Sequence, residues 1–384
     1  MKVVVGLSGG VDSSVSAYLL KKQGYEVIGV FMQNWDSALN NDLADPLLNE
    51  EKCQASIDYE DAKKVAEKIG IPIYRVNFVE EYWNDVFKKF LEDYKNGLTP
   101  NPDVFCNKYI KFKAFLDYAK KEFDCDYIAM GHYAQVIHGE KIRMLRGIDE
   151  NKDQTYFLEQ LNKEQLENTL FPIGHLTKNE VREIAKEQGL ITYNKKDSTG
   201  ICFIGDRKFQ DFLKNYLKES QGNFVDVVSQ KIVQPHKGLM YYTIGQRNGL
   251  GIGGNKNFAN KKWYVVGKNL EENIVYVAQD DENYYLKSNN AIIKNVNYLG
   301  YNGDVIKTVK FRYRSLDVKI NKYSFLDENT LYIEYDPVLA VTPGQACVFY
   351  QDEICLGGGE IKSVKYNDEN RAFFTKNDFK EDEC

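Results

Sequence analysis

The stretch KVVVGLSGGVDSSVSAYLL, residues 2–20, decides the fold. Its first residues, 2–5, form a short apolar run and read as a β-strand. The glycine turn SGGVDSS, residues 8–14, follows directly. Beyond it Val11, Val15, Tyr18 and Leu19 fall on one helical face. Gly9 and Gly10 let backbone N–H groups approach a phosphate through dihedral angles that other residues resist. Ser8, Ser13 and Ser14 add hydroxyl donors, and the helix N-terminus adds a favourable dipole. The turn has no lysine to reach a terminal phosphate, so it is not a G-x-x-x-x-G-K-[ST] loop, nor does it fit G-x-G-x-x-G. A cradle of this kind suits pyrophosphate as a leaving group. Asp12 would repel phosphate unless it binds a magnesium ion or caps the turn. An ordinary Ser/Gly turn at a helix start is the competing reading; the length of the string and its place after the first strand weigh against it.

Working outward, residues 26–32 and 71–76 are further apolar runs, and residues 126–131, DYIAMG, another. Between them Ala62, Val65, Ala66 and Ile69 repeat at helical spacing, and residues 82–94 and 112–123 also read as helices. Such alternation predicts a parallel sheet covered on both faces, with ligands beyond the carboxyl ends of its strands. Residues 34–56 are polar and aperiodic and read as a long inserted loop. Residues 155–189 look helical, and 194–205 irregular. After residue 208 one helix, 209–217, precedes short strands such as FVDVV, WYVVG and NIVYVA. From residue 291 come AIIKNV, VKFRYR, TLYIEY, ACVFY and EICLGGG, a pattern of small barrels or sandwiches. The expected organisation is an α/β, doubly wound parallel-sheet domain at 1–207. A small, mostly β central domain follows at 208–285, a C-terminal β-barrel at 286–364 and a charged flexible tail at 365–384.

A formal net charge of −6 excludes a uniformly basic nucleic-acid binder but leaves room for a local basic face. No run of 18 apolar residues exists and the N-terminus reads as a strand, so neither a membrane span nor a signal peptide is expected, and the location is read as cytoplasmic. Seven cysteines in a reducing compartment should be mostly free thiols. There is no C-x-x-C and there are only four histidines, so no zinc site, iron–sulfur cluster or other protein-held metal is expected.

Two of those thiols stand out. Cys106 lies in TPNPDVFCNKYIKFK, where two prolines and two asparagines mark a rigid turn and Asp103 sits three residues upstream. Cys202 lies in DSTGICFIGDRKF between Gly200 and Gly205. A free thiol is only a few per cent ionised at neutral pH. Lys108 or Lys111 near Cys106, and Lys195, Lys196 or Arg207 near Cys202, are the basic neighbours able to raise that fraction. A buried small hydrophobe is the ordinary fate of a single cysteine, but both segments are polar. Cys125, Cys347 and Cys355 read as core.

The strings SGGVDSSVSAYLL, TPNPDVFCNKYIKF, MGHYAQ, NKDQTYFL, KKDSTGICFIGDRKF, GLMYYTIGQRNGLGIGG and TPGQACVFYQDEICLGGG occur in this order. The chain thereby resembles the tRNA-specific 2-thiouridylase family of the ATP-pyrophosphatase superfamily, from about residue 2 to 361. The resemblance implies an adenine-nucleotide alpha-hydrolase-like first domain and ATP with Mg2+. It implies a reaction in which the C2 oxygen of the tRNA wobble uridine, position 34, is adenylated and sulfur displaces AMP. By its motifs, Gly6, Leu7, Ser8, Gly9, Gly10, Val11, Asp12, Ser13, Met32 and Gly131 contact ATP. Asn101, Pro102 and Asp103 hold the target base, and Asp103 also assists proton transfer. Cys202 carries a persulfide, and Cys106 is the nucleophile that closes a disulfide with it. His132, Lys152, Asp153, Gln154, Arg312, Tyr313 and Gln345 match tRNA contacts.

Read from the residues alone, Arg312 and Arg314 share a strand face that suits phosphate or, equally, a solvated barrel edge. Cys53 matches a position where that family often has cysteine, and no chemistry is assigned to it. The partners implied are the anticodon stem-loop of Lys, Glu and Gln tRNAs and a cysteine desulfurase or sulfur-relay protein. Whether hydrosulfide or the persulfide attacks the base stays open. Two other readings stand beside this one. A carbonyl-adenylating amidating ligase would need no cysteine pair. A non-catalytic, ATP-responsive tRNA-binding module would tolerate loss of Cys202.

Overall fold

The computed structural model describes residues 1–42, 54–197, 209–252, 261–279 and 284–379. Cys53, Gly200, Cys202, Gly205, Arg207 and Cys384 lie outside the described residues.

The first apolar run forms β1 (Lys2–Gly6), followed by β2 (Glu26–Gln33), β3 (Ile73–Asn77) and β4 (Tyr127–Ala129). A hairpin, β5 (Ala134–Ile137) and β6 (Arg143–Arg146), leads to the two-residue β7 (Thr169–Leu170). The sheet order is β3-β2-β1-β4-β7, and every pairing is parallel. The pleat sends alternate side chains to opposite faces. Val3 and Val5 therefore meet Ala17 and Leu20 of α1 (Val11–Lys22) and Ala62 and Ala66 of α2 (Gln54–Ile69). Val4 faces the other way, into an aromatic core that includes Phe87, Phe90, Phe112 and Phe115. That face is covered by α3 (Val79–Tyr82), a π-helical turn at Trp83–Phe87, α4 (Lys88–Lys95), α5 (Pro102–Phe105), a second π-helical segment at Cys106–Ala114, and α6 (Phe115–Phe123). The doubly wound sheet is thus as expected.

Residues 155–189 are less helical than their sequence suggests. They hold a 3-10 turn, α7 (Lys163–Glu167), the edge strand β7 and α8 (Lys178–Glu187). Two strand residues are too few to carry a period. The start of the 34–56 segment is loop, as expected, but it is anchored: Trp35 is buried and its ring lies 4.9 Å from that of Phe87.

The second half begins with α9 (Phe209–Lys214) and the central strands β8 (Gly222–Asp226), β9 (Ile232–His236), β10 (Trp263–Asn269) and β11 (Ile274–Gln279). Then come β12 (Lys287–Tyr298), β13 (Thr308–Lys310), β14 (Val318–Asp327), β15 (Thr330–Leu339), β16 (Ala346–Gln351) and β17 (Ile354–Tyr366). These six pair antiparallel around a closed ring, because β12 bonds both β15 and β17. Closure removes the exposed strand edges. The barrel is stitched to both neighbours, since β6 adds to β17 and β18 (Glu369–Phe373) joins β17 to β10. Among the described residues no helix is long and apolar enough to cross a membrane.

The tail departs from expectation. Its sequence from 365 predicts a charged, flexible end, yet through Phe379 it is built into the fold. Phe374 is buried, and its ring lies 5.6 Å from Tyr276 and 5.2 Å from Phe379. Arg371 is buried too, over the rings of Tyr284 and Tyr366. Charge density misled because the few apolar residues, not the many polar ones, dock the strand. Phe374→Ala should destabilise the protein by about 3–5 kcal/mol in urea unfolding, whereas a frayed tail would give no change.

Candidate functional site

The site lies where the strand order reverses, between β1 and β4, at the carboxyl ends that open sheets of this kind use for ligands. β1 ends at Gly6, which faces Met32 at the end of β2 and Met130 after β4; a Cβ on Gly6 would sit 2.7 Å from the Met130 sulfur. The loop then turns through Gly9, whose φ is +73° and whose missing Cβ leaves room for the Asp58 carbonyl of α2. Gly10 precedes α1 without a side-chain cap. The first N–H groups of a helix have no intrahelical acceptor, so they are free to bind an anion. The serines brace the loop: the Ser13 hydroxyl donates to the Gly10 carbonyl at 3.1 Å and accepts from the Ser8 N–H at 3.2 Å. The Ser14 hydroxyl donates to the same carbonyl at 2.7 Å. Gly131 closes the other side, because a Cβ there would lie 2.7 Å from the Ser13 nitrogen. The backbone of residues 6–13 is thus gathered with Met32 and Gly131, while the Leu7 and Val11 side chains turn into packed cores.

Asp12 resolves differently from either expectation. Its carboxylate accepts from the Lys178 ammonium at 2.8 Å on both oxygens and from the Tyr133 hydroxyl at 2.8 Å. Lys178 is the first residue of α8, inside the Thr177–Glu180 capping box. A buried cation opening a helix works against the helix dipole. That placement, legible from the capping box, is the signal by which sequence reading could have found this residue. Lys178 also bonds Asp197 at 2.7 Å, and Asp197 takes Lys152 at 2.6 Å and Arg182 at 3.1 Å. Burial alone would raise the Asp197 carboxyl, but the bonds from Lys152 and Lys178 outweigh it and hold it at about 2. Lys195, one residue pair upstream, is held by Asp58 at 2.9 Å and Asp61 at 2.6 Å. The chain entering the Cys202 segment is thus tied by charge to α2, α8 and the glycine loop.

Cys106 is not in a polar turn. It is fully buried and starts the π-helical segment, in one core with Met32 and Met130. The turn lies upstream, where the Asn101 side chain caps α5 by accepting from the Asp103 N–H at 3.2 Å, with Pro102 at the first position. Wider π-turns misalign backbone carbonyls and recur at functional sites. Here Gln165 supplies the missing donor, to the Phe112 carbonyl at 2.9 Å and the Lys108 carbonyl at 3.2 Å. The Lys108 ammonium itself donates to the Gln160 amide oxygen at 3.0 Å.

The residues matched to tRNA contacts divide. Lys152 bonds Asp197, the Gln154 amide oxygen accepts from the Tyr133 N–H, and buried Asp153 accepts from the Gly147 N–H and from Thr155. His132 is buried between Phe112 and Phe171; burial, and then the charge of Lys111, push its imidazole well below the usual range. Arg312 and Arg314 do not share a strand face, because β13 ends at Lys310 and Arg314 sits in a turn at φ +63°. The Arg312 guanidinium donates to the Ala340 carbonyl, and the Tyr313 ring lies 4.6 Å from Phe157. Gln345 donates to the Thr99 carbonyl at 2.6 Å. Cys125, Cys347 and Cys355 are buried, as expected of core, and burial raises all three thiols.

An acid whose folded pKa is depressed contributes stability above its unfolded pKa and loses it as pH falls. For Asp197 the window runs from its ordinary 3.8 down to about 2. Asp197→Asn should lower stability at neutral pH and flatten that part of the acid limb, as read by urea unfolding across a pH series.

Comparison with known proteins agrees with this geometry. Residues 1–206 match the tRNA methyl transferase HUP domain, 210–279 the tRNA methyl transferase PRC-barrel domain and 288–361 the aminomethyltransferase beta-barrel domain. A tRNA-specific 2-thiouridylase of Mycoplasmopsis synoviae is 53% identical over 374 residues, covering 97% of this chain and 98% of its own. That of Ureaplasma urealyticum is 52% identical, over 95% and 97% of the two chains. That of Shewanella oneidensis is 52% identical, over 94% and 96%. With an α/β domain, a small β domain and a six-stranded barrel in the same order, the chain belongs to the tRNA-specific 2-thiouridylase family.

Proposed function

We propose that this chain is an ATP-dependent tRNA-uridine 2-sulfurtransferase acting on the wobble uridine. The observation that carries the reading is the anion-ready helix start over β1, at the switch point of the sheet, in the same α/β domain as the fully buried Cys106 thiol. The C2 carbonyl of uracil is urea-like and a poor electrophile. Its oxygen attacks the α-phosphorus of ATP; a P–O bond forms, and pyrophosphate leaves. The loop N–H groups and the α1 dipole favour the departing pyrophosphate. Lys178 neutralises Asp12, so the one carboxylate in the loop does not oppose that charge.

Sulfur then replaces AMP at C2. A persulfide on Cys202, outside the described residues, supplies it. Either the terminal sulfur attacks C2 directly, or Cys106 first attacks the Cys202 sulfur and liberates hydrosulfide. In both routes a Cys106–Cys202 disulfide forms, two electrons pass to the transferred sulfur, and a thiol reductant resets the pair. Asn101, Pro102 and Asp103 hold the base, with Asp103 assisting proton transfer. An unpaired anticodon-loop base is free to be splayed into such a pocket. Among the described residues no group of three or more His, Cys, Asp or Glu could hold a metal ion. Both Asp12 oxygens are also engaged by Lys178. A magnesium ion carried on the phosphates of ATP would screen their charge. The sulfur donor is a cysteine desulfurase or a relay protein.

The test gives purified protein tRNA, ATP, magnesium and a persulfide donor. The expected products are 2-thiouridine, AMP and pyrophosphate. Cys106→Ser should lose thiolation by about a thousandfold or more while still binding tRNA; full thiolation by that variant would remove the mechanism. Gly131→Ala forces a Cβ against the α1 backbone. It should raise the ATP KM about tenfold or more with little change in tRNA affinity, measured by initial rates and filter binding.

A further inference from the structure

The segment that leads into the Cys106 helix is gripped from both other parts of the molecule. On the central side, Gly97 has φ +71°, and a Cβ there would lie 2.6 Å from Leu270 and 3.3 Å from both Leu239 and Phe373. Its carbonyl accepts from the Lys268 ammonium at 2.7 Å. On the barrel side, the Thr99 N–H donates to the Pro343 carbonyl at 3.1 Å. Gln345 donates to the Thr99 carbonyl at 2.6 Å and reaches the Pro100 carbonyl at 3.4 Å. Gly344, at φ +91°, brings its backbone so close that a Cβ would lie 2.9 Å from the Thr99 nitrogen. The next residues are Asn101, Pro102 and Asp103, the cap and first turn of α5, and Cys106 follows within the same run of helix.

Lys268 is an expensive way to make one hydrogen bond. It sits one residue from the end of β10, 1% exposed, and burial lowers its ammonium to about 7. Among the described residues no carboxylate pairs with it, and the Gly97 carbonyl is its one hydrogen-bond acceptor. A buried lysine without a carboxylate weakens a fold that an apolar residue of equal length would serve better. Its presence is explained by where its single bond falls.

We propose that Lys268, with Gln345 opposite it, is a positioning residue that sets the Asn101–Pro102–Asp103 turn and the Cys106 thiol at the working distance from the activated base. This rests on the sulfurtransfer reading above for what is positioned, but not for the grip itself. The two residues come from different domains, so the arrangement also makes thiol placement depend on how the domains are docked. Gln345 then acts through the Thr99 and Pro100 backbone.

The experiment compares wild type, Lys268→Met and Gln345→Ala in thiolation assays, thermal unfolding and amide hydrogen exchange. Lys268→Met should keep or raise the melting temperature at pH 6, where the lysine is charged. Its kcat should fall about tenfold with the ATP KM unchanged, and amides 98–106 should exchange about tenfold faster. Gln345→Ala should show the same loss of kcat and the same faster exchange, and it decides the matter if Lys268→Met does not fold. A lower melting temperature with wild-type kcat would mean a purely structural lysine and would overturn the proposal. So would wild-type kcat with wild-type exchange. If wild type itself makes no 2-thiouridine while the variants still exchange faster, the functional reading fails and the grip stands.

Discussion

The ion pair between Asp12 and Lys178 is the contact on which the nucleotide end of the molecule depends. A helix whose first turn is to receive phosphate needs its N–H groups uncapped and its field positive. Asp12 in that turn defeats the purpose unless a cation cancels it. Lys178 does so from the start of another helix, with Tyr133 as a second donor. Because Lys178 also holds Asp197, the same cation fastens the chain just ahead of the Cys202 segment to the loop. The glycine loop is therefore one end of a charged lattice that runs through Lys178 to Asp197.

A second constraint governs the thiol. A buried thiol at the head of a π-helical segment is shielded from bulk oxidants and held in one orientation. The cost of the irregular helix, misaligned carbonyls, is met by Gln165. The segment before it is pinned by backbone contacts from the central domain and the barrel, so the placement of Cys106 depends on all three domains. Several side chains expected on tRNA are engaged inside the protein: Asp153 and Gln154 within the first domain, and Gln345 where the barrel meets it. A motif shared with a family marks positions that matter; it does not separate a residue that touches RNA from one that holds the residue that does.

Much of the first domain was legible in the chain. Val3, Val4 and Val5 announce a strand buried on both faces, and the glycine turn announces what stands above it. Cys347 and Cys355 fall in apolar alternation and are core. Errors gathered where the chain is short of pattern or rich in charge. β7 is two residues long, and the strand around Arg371 docks through a handful of aromatic residues. KFRYR has β composition, yet only Lys310 belongs to β13 and the four residues after it bend and turn.

What the sequence alone determined were the properties carried by neighbours along the chain: strand and helix periods, the glycine loop, the Asn101–Pro102 cap and the order of family strings. Tertiary structure decided what each charged or polar residue does. Lys178 meets Asp12 across 166 residues, Lys268 meets Gly97 across 171, and Gln345 meets Thr99 across 246. Hydrogen bonds and ion pairs act over a few ångströms and need a geometry that local propensity does not encode. Only the docking of three domains could turn a lysine on a central-domain strand and a glutamine in a barrel turn into supports for the helix that bears Cys106.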